Sequence, residues 1–173
     1  NVSEWPQHAR QQVAGTDEAG RGPLAGAVLA AAVILPRSYD LPGLNDSKKL
    51  SAARRELLYD LIRQQAVAFA ITQVPAAEID RINIFRASLL AMQQAVAALK
   101  VDADFVYVDG SHCPSWHKPS AALVKGDSRL DCIAAASVLA KVARDRDMQR
   151  LHELFPMYGF DRHKAYPTPA HLK

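Results

Sequence analysis

The chain has 173 residues, 49% hydrophobic and 23% charged, a balance typical of a soluble globular protein. A domain of this length buries roughly 70% of its unfolded surface, so it needs neither a disulfide framework, which Cys113 and Cys132 do not make, nor a structural metal to fold. The net charge of +3 and a pI of about 9.0 permit an anionic partner without demanding one; the longest apolar stretch, Leu24 to Leu35, is too short to span a membrane, and residues 1–10 lack a signal-peptide core, so the chain reads as cytoplasmic.

In chain order, Gln12 to Thr16 reads as a short strand running into Asp17-Glu18. Gly20-Arg21-Gly22-Pro23 is a turn by composition. Gly26 to Leu35 is an apolar run, best read as a buried strand ended by Pro36. A loop follows to Lys49. Ser51 is placed to cap a helix to about Gln65, with Leu57, Leu58, Leu61 and Ile62 on one face.

Val67, Phe69 and Ile71 alternate with smaller residues, the mark of a strand reaching Val74. Pro75 opens a helical region, and Asn83 caps a second helix through Lys100. Phe105 to Val108 is a strand stopped by the turn pair Asp109-Gly110. Ala121 to Val124 is a short strand, and Ile133 to Phe155 a long Ala-rich helix stopped by Pro156 and Gly159. No repeat or linker divides the chain, so one domain over 1–173 is expected. The element order predicts an α/β fold with a mixed central sheet, a hairpin at one edge and crossovers elsewhere.

Asp17, Glu18, Asp109 and Asp127 sit where strands end or a helix is about to begin. Groups at such reversals in an open α/β sheet converge on one crevice. Clustered carboxylates raise one another's pKa, and a divalent cation relieves that repulsion. Oxygen ligands without Cys or His favour Mg²⁺ or Mn²⁺ over Zn²⁺. Two such ions, ~3.5–4 Å apart, clamp an in-line displacement at phosphorus. Taken singly, Asp109 is more often a turn residue and Asp127 more often a helix cap than a metal ligand. Acids seldom occupy strands, so Asp17-Glu18 carries more weight.

Longer strings go further. Thr16-Asp17-Glu18-Ala19-Gly20-Arg21-Gly22-Pro23-Leu24-Ala25-Gly26 resembles the first motif of the ribonuclease HII family. Leu44-Asn45-Asp46-Ser47-Lys48-Lys49-Leu50 resembles the second, and Val108-Asp109-Gly110 the strand carrying the third acid. Lys125-Gly126-Asp127-Ser128, with the run Ile133 to Asp145, resembles the fourth motif and its helix. Tyr158-Gly159-Phe160 and His163-Lys164-Ala165-Tyr166-Pro167-Thr168 resemble the tail of the bacterial form. Five motifs in register cover nearly the whole chain.

The resemblance implies a ribonuclease H-like fold. It also implies hydrolysis of the RNA strand of RNA–DNA hybrids and nicking of duplex DNA beside embedded ribonucleotides. The four metal-binding acids would be Asp17, Glu18, Asp109 and Asp127. Gly20, Arg21, Gly22 and Tyr166 would detect the ribose 2′-OH. Ser47, Lys48 and Lys49 would hold phosphates without reading bases, unless they are a solvated loop. Two departures bear on substrate binding. Ala165 stands where the family has glycine, and family members continue beyond the position of Lys173.

Other constellations are weaker. His112, Cys113 and His117 lack a fourth zinc ligand. A Ser137–Lys141 nucleophile pair would leave the acids without a purpose. Asp145 is read as structurally paired. A type 1 ribonuclease H or a resolvase does not account for Gly20-Arg21-Gly22 after the acid pair, and an inactive nucleic-acid-binding module does not account for all four acids. No apolar surface stripe demands a dimer, so a monomer is expected.

Overall fold

The computed structural model describes residues 12–20 and 27–154, leaving aside the side chains of Asp46 and of residues 151–154. Its strands are β1 (Val13–Ala19), β2 (Val28–Ile34), β3 (Ala68–Val74), β4 (Phe105–Asp109) and β5 (Ser120–Leu123). Its α-helices are α1 (Ala52–Gln65), α2 (Ala76–Ile82), α3 (Ile84–Ala97) and α4 (Asp131–Leu154). Two 3-10 turns, Leu44–Lys49 and Gly126–Ser128, connect them.

The sheet order is β3-β2-β1-β4-β5. β1, β2 and β3 form an antiparallel meander. β4 and β5 join β1 in parallel. This is the expected mixed sheet, with both faces covered. Ala14, Ala30, Ala32, Val106 and Val108 face α3. Ala31 and Val33 face α1 and α4. All of β2 is buried, as its unbroken apolar run requires. Its alanines let helices approach from both sides.

Two caps follow the sequence closely. Ser51 Oγ accepts from the Arg54 N–H at 3.2 Å to open α1, and Asn83 Oδ1 accepts from the Arg86 N–H at 3.0 Å to open α3. Other details differ from expectation. Leu57 does not share the buried face of α1; it is 51% exposed, and Tyr59 packs inward with Leu58 and Ile62. α3 stops at Ala97 rather than Lys100, and α4 begins at Asp131 rather than Ile133. β1 continues to Ala19, so Asp17 and Glu18 lie within the strand rather than after it.

Asp145 on α4 ties that helix to α1, with Arg55 at 3.5 Å and Arg144 at 3.4 Å. Asp145→Asn keeps the shape and removes the charge between two partly buried guanidinium groups. It is expected to cost about 1–3 kcal/mol in urea unfolding, with the activity of the folded fraction unchanged. An activity loss at unchanged stability would give Asp145 a role in the chemistry instead.

Candidate active site

The register between β1 and β4 pairs Val13 with Phe105 and runs to Thr16 opposite Val108. One residue further, it sets Asp17 beside Asp109. Strand side chains alternate between faces. Gly15 packs on the first turn of α4, so Asp17, two residues on, shares that face. Val106 and Val108 face α3, so Asp109 turns to the α4 side with Asp17. Glu18 falls on the opposite face, toward α3.

Asp17 is 5% exposed. Its Oδ1 accepts from the Glu18 N–H at 2.8 Å. Burial holds its carboxyl well above the usual aspartate range, and the charges of Asp109 and Glu18 push it the same way. A buried acid beside two other acids calls for a compensating cation.

Asp109 is fixed by the turn before α4. Its Oδ1 accepts from the Gly126 N–H at 2.8 Å. Lys125 adopts a left-handed conformation, φ 56°, to start that turn. A Cβ on Gly126 would lie 2.5 Å from Ile133 Cδ1 and 3.3 Å from Asp109 Oδ1, so a side chain here would have to push the end of Ile133 aside and would press on the carboxylate.

Asp127, buried at 7% exposure, follows in the same turn. Lys48 Nζ stands 3.5 Å from Asp127 Oδ1. Asp127, Lys48, Lys49 and Ser47 line one cleft. Ser47 Oγ is buried there and has no hydrogen-bond partner among the described residues. Glu18 and Asp109 line a second, neighbouring cleft with α3. Among the described residues, no three His, Cys, Asp or Glu side chains close around a single point.

Gly20 is exposed at the end of β1. Arg21, Gly22 and Tyr166 lie outside the described residues, so their relation to the acids is not part of this geometry. Ser137 is buried and His112 lies on the second cleft. The thiol of Cys132 is pushed up to about 12 by burial, which leaves it inert.

Two participants had little sequence signal. The Tyr39 hydroxyl donates to the Asp131 carboxylate at the start of α4, joining a loop to the helix that follows the acid turn. Phe85 stands 53% exposed on the second cleft. Its only cue is an aromatic residue just after a capping asparagine and off the buried stripe Ala87, Ala91 and Ala95.

The mixed sheet, with acids at adjacent strand ends and in the turn before the long helix, defines a ribonuclease H-like hydrolase. A family model described as Ribonuclease HII matches residues 14–173. The ribonuclease HII of Dechloromonas aromatica (strain RCB) is 56% identical over 160 residues, covering 92% of this chain and 82% of that protein. That of Delftia acidovorans (strain DSM 14801 / SPH-1) is 56% identical over 167 residues, covering 96% and 71%. The crystal structure of the ribonuclease H2 from Pyrococcus horikoshii OT3 superposes with a TM-score of 0.78 at 25% identity, covering 93% of this chain and 83% of that one. The chain belongs to the ribonuclease HII family. It is an endoribonuclease of RNA–DNA hybrids. Among the described residues, no helix is long and apolar enough to cross a membrane.

Proposed function

We propose that this chain hydrolyses the RNA strand of RNA–DNA hybrids and nicks duplex DNA on the 5′ side of embedded ribonucleotides, with Asp17, Glu18, Asp109 and Asp127 holding two Mg²⁺ or Mn²⁺ ions. The buried Asp17 carboxyl, crowded by Asp109 and Glu18, carries this reading. It is an all-oxygen donor set whose charge repulsion a hard divalent cation would remove. Because no three acids among the described residues enclose one point, water and substrate phosphate oxygens would complete the coordination, as is usual for Mg²⁺. Bound ions of this kind supply an activated water and a counter-charge for the departing 3′ oxygen.

The chain's own residues then have distinct tasks. Asp17 and Asp109 hold the centre between β1 and β4. The Gly126 N–H keeps the Asp109 carboxylate aimed, and Asp127 extends the acid edge toward the loop. Lys48 neutralises Asp127 in the free protein and is exposed enough to turn to a phosphate. Ser47 lines the same cleft; its hydroxyl, buried and without a hydrogen-bond partner among the described residues, would become a donor to a phosphate oxygen on turning outward, with Lys49 beside it. None of these groups reads a base, which suits cutting without sequence preference. The enzyme would act as a monomer in the cytoplasm, removing ribonucleotides during DNA replication and repair.

A long RNA–DNA hybrid should be cut with Mg²⁺ or Mn²⁺ present and spared in EDTA. Cleavage that survives chelation would overturn the metal reading.

Selection of the ribonucleotide is assigned to Gly20, Arg21, Gly22 and Tyr166. The 2′-OH is the only chemical difference along most of the strand, and it can donate and accept. The Gly20-Arg21-Gly22 backbone is separated from the acid pair by Ala19 alone, so it can hold that hydroxyl near the scissile phosphate. Tyr166 would bond the same sugar region and stack on the next deoxyribose. Tyr166→Ala is expected to cost about 1–3 kcal/mol at a single embedded ribonucleotide and less within a long hybrid. Equal loss on both substrates, measured as kcat/KM, would assign Tyr166 to general binding or packing.

A further inference from the structure

The cleft that Glu18 and Asp109 share with α3 has a wall the reaction does not account for. Phe85 stands at its rim, 53% exposed. The His112 ring meets it edge-on, with ring centres 5.1 Å apart. Ser111 Oγ lies 2.8 Å from His112 Nδ1, which fixes the imidazole. Met92 lines the cleft behind them. The result is a braced aromatic ledge on the same cleft as two of the acids.

The backbone behind the ledge is also unusual. Asn83, between α2 and α3, has φ 72° and ψ 166°. That region is costly for any residue but glycine, and such conformations persist where the surroundings enforce them. The same asparagine caps α3 through its side chain. This corner sets the first turn of α3, and Phe85 with it, at the mouth of the cleft. An exposed phenylalanine placed by a strained corner, on the same cleft as two acids assigned to the metal ions, has a surface to cover rather than a core to fill.

We propose that the Phe85–His112 ledge seats the sugar of the nucleotide adjoining the scissile phosphate, packing the Phe85 ring against its apolar face. This rests on the hybrid-cleaving reading above. An RNA–DNA hybrid presents a wide, shallow minor groove lined with sugar edges, which a protruding flat ring can enter. The ledge is a binding and positioning element, with no part in proton transfer. Its contribution comes from apolar contact, so unlike that of Lys48 and Lys49 it does not depend on released counterions.

Steady-state cleavage of a fluorescent RNA–DNA hybrid in Mn²⁺ tests this. Phe85→Ala should raise KM by about five- to tenfold, the loss of roughly half a buried phenylalanine, with kcat within about twofold. The salt dependence of KM should keep the wild-type slope, and the melting temperature should be unchanged, because the ring is largely outside the core. Phe85→Leu should fall between wild type and Phe85→Ala. Phe85→Trp should keep the wild-type KM, and its emission should change when duplex is added. An unchanged KM in Phe85→Ala, while the wild-type enzyme cuts, would overturn the ledge alone. A KM change accompanied by a matching drop in melting temperature would make Phe85 a structural residue. A wild-type chain that leaves the hybrid intact would overturn the hybrid-cleaving reading, and the ledge with it.

Discussion

Asp17→Asn is expected to lower cleavage by more than about 100-fold while hybrid binding persists and the metal-free protein becomes more stable. The first effect follows from removing a ligand charge at constant shape. Changes one shell further from a metal already cost about 10–100-fold. The second follows from proton linkage. Burial, then Asp109, then Glu18 raise the Asp17 carboxyl above its ordinary range, so the folded chain keeps a proton that the unfolded chain releases. The associated stability is complete at pH values below the ordinary aspartate pKa and is lost as pH rises through the raised value. Asparagine has no proton to lose, so the variant's advantage in melting temperature should widen with pH across that window. Adding Mg²⁺ or Mn²⁺ at neutral pH should narrow it again, because the ion stabilises the ionised wild-type site more than the variant. Thermal unfolding across pH, with and without metal, reads all three effects. Activity within tenfold of wild type, about 1.4 kcal/mol of barrier, would remove Asp17 from the metal site.

Gly15→Ala should be among the most damaging single-methyl additions to the fold. A Cβ there would sit 2.4 Å from the Cys132 carbonyl carbon and 2.5 Å from the Ile133 nitrogen. Both are backbone atoms in the first turn of α4, so no rotamer change relieves the clash. Overpacking against yielding side chains typically costs 1–3 kcal/mol; here about 3 kcal/mol or more is expected. For a chain of this size that is a fall of roughly 6–12 °C in melting temperature. The damage should reach the chemistry as well. Pushing α4 from β1 disturbs the turn that carries Asp127 and aims Asp109 through the Gly126 N–H. Urea unfolding at constant m-value, paired with kcat on the folded fraction, checks both parts. A cost under about 1 kcal/mol would mean that β1 and α4 are not locked together.

Much of this architecture was legible because it rests on local physics. Ser51 and Asn83 announce helix starts by the hydrogen bonds their side chains can make. The apolar run of β2 announces a strand covered on both faces. The end of β1 departs from the local rule for a physical reason. Acids disfavour strands, so the strand was expected to stop at Thr16. Pairing with Ala31 and Ala30 of β2 carries it through Asp17 and Glu18, and the cost is accepted where the acids are used. That extension matters, because it turns Asp17 and Glu18 to opposite faces and spreads the acids over two clefts. Leu57 faces outward because a helix of this composition has no sharp apolar boundary, and only the docking of α4 decides which leucines go inside. The contact between Lys48 and Asp127 and the seating of Phe85 beside His112 join distant parts of the chain. No spacing rule encodes them. Arg21, Gly22 and Tyr166 fall outside the described residues, so their roles rest on the motifs alone.

One measurement bears on the central claim most directly. Two DNA duplexes of the same sequence, one all-DNA and one with a single ribonucleotide in one strand, are incubated with the protein in Mn²⁺, in Mg²⁺ and in EDTA, and the products are resolved on a denaturing gel. The expected result is a single nick on the 5′ side of the ribonucleotide in one or both metals. The nick should leave a 5′-phosphate on the ribonucleotide, and there should be no cutting of the all-DNA duplex and none in EDTA. Equal cutting of both duplexes, or a ribonucleotide-containing strand left intact by protein that binds it, would contradict the assignment of these four acids to ribonucleotide-directed hydrolysis.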